Sequence, residues 1–185
     1  PGMLQVLERN QRNFSSLLFF EIGRGYEAQP SARHEALTLR PKVNSPAAFE
    51  RRLLCLGLSS GRDEGVLAGE VMPPLKQGAD FFALLGAVRR IVRLVSANDV
   101  QASPVAAGGN GQETSEAAAF AQYKAWMHPF RAASLSLKDK VFGHIAEVHP
   151  GAFEDCAARA VVAELDLELL LKADNNTLLF KTLPK

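Results

Sequence analysis

Leu165-Asp166-Leu167-Glu168-Leu169 opens the stretch on which the fold turns, and Asp174-Asn175-Asn176 followed by Thr177-Leu178-Leu179-Phe180-Lys181-Thr182-Leu183 completes it. The first five residues alternate apolar and acidic with period two, which suits a half-buried strand better than an amphipathic helix. Asp and Asn tolerate the left-handed backbone of tight turns, so residues 174–176 supply a reversal. Thr177 to Leu183 is apolar again, and residues 165–183 are predicted to form a C-terminal β-hairpin, with a continued helix as the competing reading. A lone hairpin is marginal in water. These two strands are therefore expected to join a sheet laid down earlier in the chain.

Upstream of that hairpin the apolar period changes. Residues 116–163 read as a helical block. One helix opens at Thr114 or Ser115, which can cap it, and is stopped by Pro129. A second follows Ser136-Leu137-Lys138-Asp139, which resembles a capping box, and places Leu137, Val141, Ile145 and Val148 on one face. A third carries Phe153, Cys156, Ala157, Ala160 and Val161. Residues 98–115, centred on Ser103 to Gly111, have the composition of a flexible loop. Before them, residues 78–97 carry Phe81, Leu84, Leu85, Val88, Ile91, Val92 and Val95 at helical spacing, with Arg89, Arg90 and Arg93 opposite.

The N-terminal part, 3–75, reads as a β-meander. Residues 3–13 fit a short helix or an irregular lead-in. Strands are predicted over the apolar, aromatic run from Ser15 to Arg24, over the alternating His34 to Arg40 that stops at Pro41, over Arg51 to Ser59, and over Val66 to Met72. The resulting fold class is α+β: an antiparallel sheet of about six strands, N-terminal meander plus C-terminal hairpin, packed against three or four α-helices. Residues 1–185 are expected to form one domain.

Composition agrees with a globular chain. Of 185 residues, 47% are hydrophobic and 22% charged, which excludes a disordered tail, a collagen-like fibre or a disulfide-dense mini-protein. Twenty-one basic residues against twenty acidic leave a net charge of +1, too little to pull the whole molecule to nucleic acid or anionic membrane. No run of eighteen apolar residues occurs, and the N-terminus lacks the basic-then-apolar pattern of a secretory leader. Pro1-Gly2 ahead of Met3 reads as a cloning remnant, and an end at Pro184-Lys185 straight after an apolar strand fits a piece of a longer chain. Cys55 and Cys156 are the only cysteines and sit in apolar patterns, so both are expected to be inert core thiols in a cytoplasmic or other reducing intracellular compartment.

No catalytic, metal or cofactor motif stands out. His144-Ile145-Ala146-Glu147-Val148-His149 has histidines five apart, not the four that a zinc-binding helix needs. Gly23-Arg24-Gly25 lacks the lysine and hydroxyl of a phosphate-binding loop, and Gly108-Gly109-Asn110-Gly111 has no strand before it. No Gly-x-Ser-x-Gly elbow is present. The chain is therefore read as a non-catalytic interaction module, a subunit, adaptor or assembly factor of a larger complex, with no cofactor. A protein partner or a homodimer mate is expected. Its contacts are placed on Arg89, Arg90 and Arg93 and on the aromatic group Tyr123, Trp126 and Phe130, since such residues are enriched at interface hot spots.

The alternative is RNA binding through the basic N-terminal half, where residues 1–62 hold nine Lys or Arg against five Asp or Glu. It needs Arg40, Lys42, Arg51, Arg52 and Arg62 in one patch. A further alternative is an apolar ligand or lipid held between sheet and helices.

Overall fold

The computed structural model describes residues 2–14, 16–27, 49–60, 65–67, 70–72, 79–105, 126–138, 140–152 and 159–173. Helix α1 spans Gly2–Gln11, α2 Ala79–Val95 and α3 Leu167–Ala173. The strands are β1 Ser16–Glu27, β2 Phe49–Ser60, β3 Gly65–Leu67, β4 Glu70–Met72, β5 Gln101–Pro104, β6 Met127–Leu137, β7 Lys140–Val148 and β8 Arg159–Asp166. Six of them form one sheet in the order β1-β2-β8-β7-β6-β5, and every neighbouring pair is antiparallel. The α+β class and the antiparallel six-stranded sheet are as expected from the sequence, and of the three helices among the described residues α2 stands where its spacing placed it.

Strand alternation sorts the apolar residues to two faces. Leu54, Leu56 and Leu58 of β2 and Val161, Ala163 and Leu165 of β8 lie under α2, where they meet Leu84, Leu85, Val88 and Val92. Each of these four helix side chains is buried, and burial of such a side chain is worth about 1.5–3 kcal/mol. Leu170 of α3 completes the same core. The opposite face takes α1, whose Met3 and Leu7 pack with Leu17, Ala160 and Val162. Gly57 lets that helix sit close, because a Cβ there would stand 2.8 Å from Met3 Sδ and 3.1 Å from Leu7 Cδ1. At the other end of the sheet, the Ser60 hydroxyl donates to Asp80 in the first turn of α2, where a carboxylate also suits the helix dipole.

Several elements differ from their predicted type. The helical block is corrected first: residues 127–148 form the β6–β7 hairpin, and 159–166 form β8. Leu137 and Ile145 enter the core under α2 while Val148 packs on the α1 side, so the four do not share one face, and the β6–β7 ladder is irregular besides. Leu135 pairs with Gly143 but Ser136 pairs with Val141, so Phe142 is an extra residue. Such a bulge puts two residues against one and resets the alternation, which brings Phe142 and Ile145 into one core although they are three apart. The supposed capping box is the turn of this hairpin. Leu137 pairs with Lys140, and Lys138 has φ 46°, the left-handed conformation of a tight primed turn.

The segment read as a hairpin over 165–183 ends β8 at Asp166 and becomes helix at Leu167; residues 174–185 lie outside the described residues. Asp166 makes that switch. Its Oδ1 accepts the N–H groups of Glu168 and Leu169 at 3.0 Å each, an N-cap that starts α3. The predicted strand over 34–40 and the helix start at 114–115 also lie outside. Gln101–Pro104, expected in a loop, is the edge strand β5 on β6. β3 and β4 pair only with each other among the described strands, and do not extend the main sheet.

Candidate functional site

Two surfaces of the sheet carry chemistry or exposure that the core does not explain. The first is a polar row on the α1 face. Glu21 faces Cys55, Cys55 faces Glu164, Glu164 faces His144, and His144 faces Ser134, one residue from each of five adjacent strands. A cleft of about 230 Å³ opens there, lined by Glu21, Leu53, Cys55, Trp126, Val162 and Glu164 beside the start of α1. Small-molecule pockets run to about 300–1,000 Å³, so this particular cleft is small for a lipid.

The row has weak acid–base chemistry. Burial, reinforced by the nearby Glu164 carboxylate, pushes the Cys55 thiol up to about 12, so the nucleophilic thiolate is absent near neutrality. Burial pushes the His144 imidazole down to about 4, against the pull of Glu164 and with a smaller push from Arg51, so it stays neutral. Cys55 is thus inert, as its leucine neighbours suggested. Among the described residues no group of three or more His, Cys, Asp or Glu side chains could hold a metal ion. His128 and His149 come within 6.3 Å ring to ring, but each Nδ1 accepts a backbone N–H, from Phe130 and Gly151 respectively.

The second surface is the α2-side face of β1. Leu18, Phe20 and Ile22 pair with Leu58, Leu56 and Leu54 of β2 and so point the same way. The β2 leucines are buried under α2, whereas Leu18, Phe20 and Ile22 are 51%, 71% and 62% exposed. On the other face the same strand is covered, with Leu17 buried and Phe19 packed against the α1 core. β1 is also an edge: among the described strands it pairs only with β2. A twelve-residue apolar edge strand is the kind of surface that recruits a partner, unlike scattered exposed leucines. Beyond the apolar triad, Arg24 and Arg52 face each other across the pair. Arg24 Nη1 holds Glu50 Oε1 at 2.9 Å.

The residues singled out from the sequence scatter. Arg89, Arg90 and Arg93 are exposed on α2, with Arg93 Nη2 held to Asp99 Oδ1 at 3.0 Å. Phe130 is 86% exposed where β6 leaves its ladder between Met127 and Ala132. Trp126 is half-buried at the head of β6 and packs against the α1-side core, so it is not a free anchor. Arg51 and Arg52 point to opposite faces of β2. Arg51 lies half-buried 3.7 Å from Asp166, while Arg52 is exposed, so this pair does not contribute to one patch. Arg40, Lys42, Arg62 and Tyr123 lie outside the described residues. The β1 triad was not singled out as a contact surface, although its alternation was in plain view at Leu18, Phe20 and Ile22. A strand's pattern shows that it has a dry face and leaves open whether its own chain covers it.

Among the described residues no helix is long and apolar enough to cross a membrane. Comparison with known proteins places the chain. The phenylalanine–tRNA ligase beta subunit of Clostridium acetobutylicum is 27% identical over 187 residues, covering 100% of this chain and 18% of the relative. The beta subunit of the same name from Paramagnetospirillum magneticum is 29% identical over 173 residues, covering 91% of this chain and 17% of the relative. The chain thus spans under a fifth of these curated relatives. A family model for the phenylalanyl tRNA synthetase beta chain CLM domain matches residues 1–167, and with nine-tenths of the sequence inside that match, the chain belongs to this family.

Proposed function

We propose that this chain is a non-catalytic assembly module of a phenylalanine–tRNA ligase beta subunit, and that the exposed face of β1 is where it holds the ligase particle together. The observation that carries this is the apolar triad Leu18, Phe20 and Ile22, uncovered on an edge strand whose other face is packed. The neutral Cys55 and His144 in the polar row support the non-catalytic part of the reading, since neither offers a charge to a reacting group. The test uses the full-length beta subunit co-expressed with the ligase's other chain. Phe20→Glu places a charge in the centre of the dry face, and the particle is expected to lose at least about tenfold in assembly affinity, as truncating or charging a hot spot does. Because Phe20 is mostly exposed in the chain itself, unfolding free energy should change by less than about 0.5 kcal/mol. Unchanged particle mass at low concentration sinks the reading.

A second reading, contact with tRNA, is favoured by Arg89 and Arg90, exposed side by side on α2 with no carboxylate against either among the described residues. Two phosphate contacts contribute about two units to the slope of log affinity against log salt. Arg89→Glu with Arg90→Glu is expected to flatten that slope by about this much in a tRNA-binding titration. An identical slope in parent and variant removes the α2 face from any tRNA contact.

A further inference from the structure

At the end of the sheet where β7 finishes and β8 begins, basic and imidazole side chains gather on the α2-side face. Ile145 lies in the core under α2, so Glu147 and His149, two and four residues on, face the same way. The ladder runs on through His149, whose N–H donates to the Trp126 carbonyl at 2.6 Å. From β8 comes Arg159, two residues before the core residue Val161, and from β6 comes Arg131, paired with the buried Glu147. Glu147 thus cancels one guanidinium. Arg159 is exposed with no carboxylate against it among the described residues. Asp80, beyond its β2 neighbour Ser60, is held by that serine's hydroxyl.

His128 and His149 stand 6.3 Å apart ring to ring. Nδ1 of His128 accepts the Phe130 N–H at 3.2 Å, and Nδ1 of His149 accepts that of Gly151 at 3.1 Å. An imidazole whose Nδ1 lone pair is occupied in this way carries its proton on Nε2 when neutral. Both rings are therefore fixed as Nε2–H donors, which disfavours a metal ion there and suits an oxyanion. Partial burial, then the Arg131 charge, holds His128 below its ordinary value, and His149 and Arg159 push the same way, so this donor is neutral near pH 7. Two neutral donors beside one uncompensated guanidinium match a phosphate group, which accepts several hydrogen bonds and needs a charge to draw it from water. We infer that this end of the sheet is a phosphate-binding site, with His128 and His149 donating from Nε2 and Arg159 supplying the charge. Phe130, 86% exposed and edge-on to His128 at 6.2 Å, offers a flat apolar face for the base of a nucleotide. β2 separates β8 from β1, so the site is distinct from the exposed β1 face and does not depend on the assembly reading.

Hydrogen exchange in the assembled ligase, with the full-length beta subunit, tests this through the two amides that the rings hold. The Phe130 and Gly151 N–H groups must leave Nδ1 before they exchange, and an anion bound at Nε2 fixes the rings. At ten times its dissociation constant, inorganic phosphate is expected to slow both amides about tenfold relative to chloride at the same ionic strength. Arg159→Glu is expected to raise the half-saturating phosphate concentration at least about tenfold. Arg159→Gln, which removes the charge and adds none, should act in the same direction and keeps the test valid if the glutamate disturbs β8. Adenosine monophosphate separates the two sources of the phosphate. If it saturates at a concentration at least about fivefold lower than inorganic phosphate, and Phe130→Ala abolishes that gain, the ligand is a nucleotide. Equal saturation by the two, unaffected by Phe130→Ala, assigns the site to free phosphate. Exchange unchanged by either, equal slowing by chloride, or full slowing retained in both Arg159 variants overturns the site. Slowing by tRNA alone also overturns it, by giving the surface to nucleic acid.

Discussion

Gly143→Val is expected to cost the fold about 4 kcal/mol or more, at the upper end of what a single core substitution does. Gly143 pairs with Leu135 on one side and Leu165 on the other, in the middle of the sheet. A Cβ at this position would press into the carbonyl oxygen of Glu164 and stand 2.9 Å from Leu165 Cδ2 and 3.1 Å from Leu165 Cα. Two of those three atoms are backbone, so rotation of a side chain cannot relieve the contact. β7 and β8 must move apart, and the ladder bonds around Val162 to Leu165 weaken with them. Overpacking alone costs about 1–3 kcal/mol, and lost sheet pairing adds to it. Urea unfolding of the parent and the variant measures the difference directly. Gly86→Ala is the matched control, since nothing lies within 4 Å of a Cβ there and the residue is inside α2. A loss at position 143 no larger than in that control contradicts the close approach of the two strands.

That same glycine shows how far the sequence could be read. Between Val141 and Val148 apolar residues recur three and four apart, which is the mark of a helix. A bulge at Phe142 produces the same spacing in a strand, because one extra residue shifts the faces by half a period. No local signal separates the two cases. Gly143 and the turn at Lys138 are the physical traces of the strand reading, and each has a common helical interpretation. Where no bulge intervenes, alternation was decisive: Leu54, Leu56 and Leu58 were legible as one strand face, and α2 was legible from its seven apolar positions. At Asp166 the limit was different. Leu165-Asp166-Leu167-Glu168-Leu169 does alternate, but two N–H groups closing on one carboxylate outweigh three more residues of strand pairing, and the chain turns into α3.

The candidate surface depended on information of another kind. Periodicity reports which side chains seek a dry face, and Leu18, Phe20 and Ile22 seek one as strongly as Leu54, Leu56 and Leu58. Among the described elements α2 distinguishes them, since it packs on the β2 leucines and leaves the β1 triad exposed. Charge proved a poorer guide, because adjacent residues of a strand diverge. Arg51 is taken inward to Asp166 and Arg52 outward to solvent, although they are neighbours in the chain.

His144 should make the fold acid-sensitive through one titration. Unfolded, its imidazole takes up a proton near pH 6.5; folded, burial holds it down to about 4. Between those values the unfolded chain binds more protons than the folded one, so stability rises with pH. It is lost as pH falls from about 6.5 to about 4, is constant above that window, and loses no more below it. At 1.36 kcal/mol per unit the whole shift is worth about 3 kcal/mol, a large share of a typical domain's stability. The charged groups that act on the imidazole pull in opposite directions. Glu164 on β8 favours the charged form, Arg51 on β2 opposes it, and the Trp126 ring, 6.4 Å away, adds no charge. Urea unfolding at pH 7 and at pH 4.5 tests this, with His144→Gln as the comparison, since a glutamine cannot titrate. The parent is expected to lose about 2–3 kcal/mol more than the variant over that interval. Equal losses would mean that the imidazole is hydrated enough to accept its proton in the folded state. In that case the polar row would be open to solvent, and the argument that His144 stays neutral inside the sheet would fail with it.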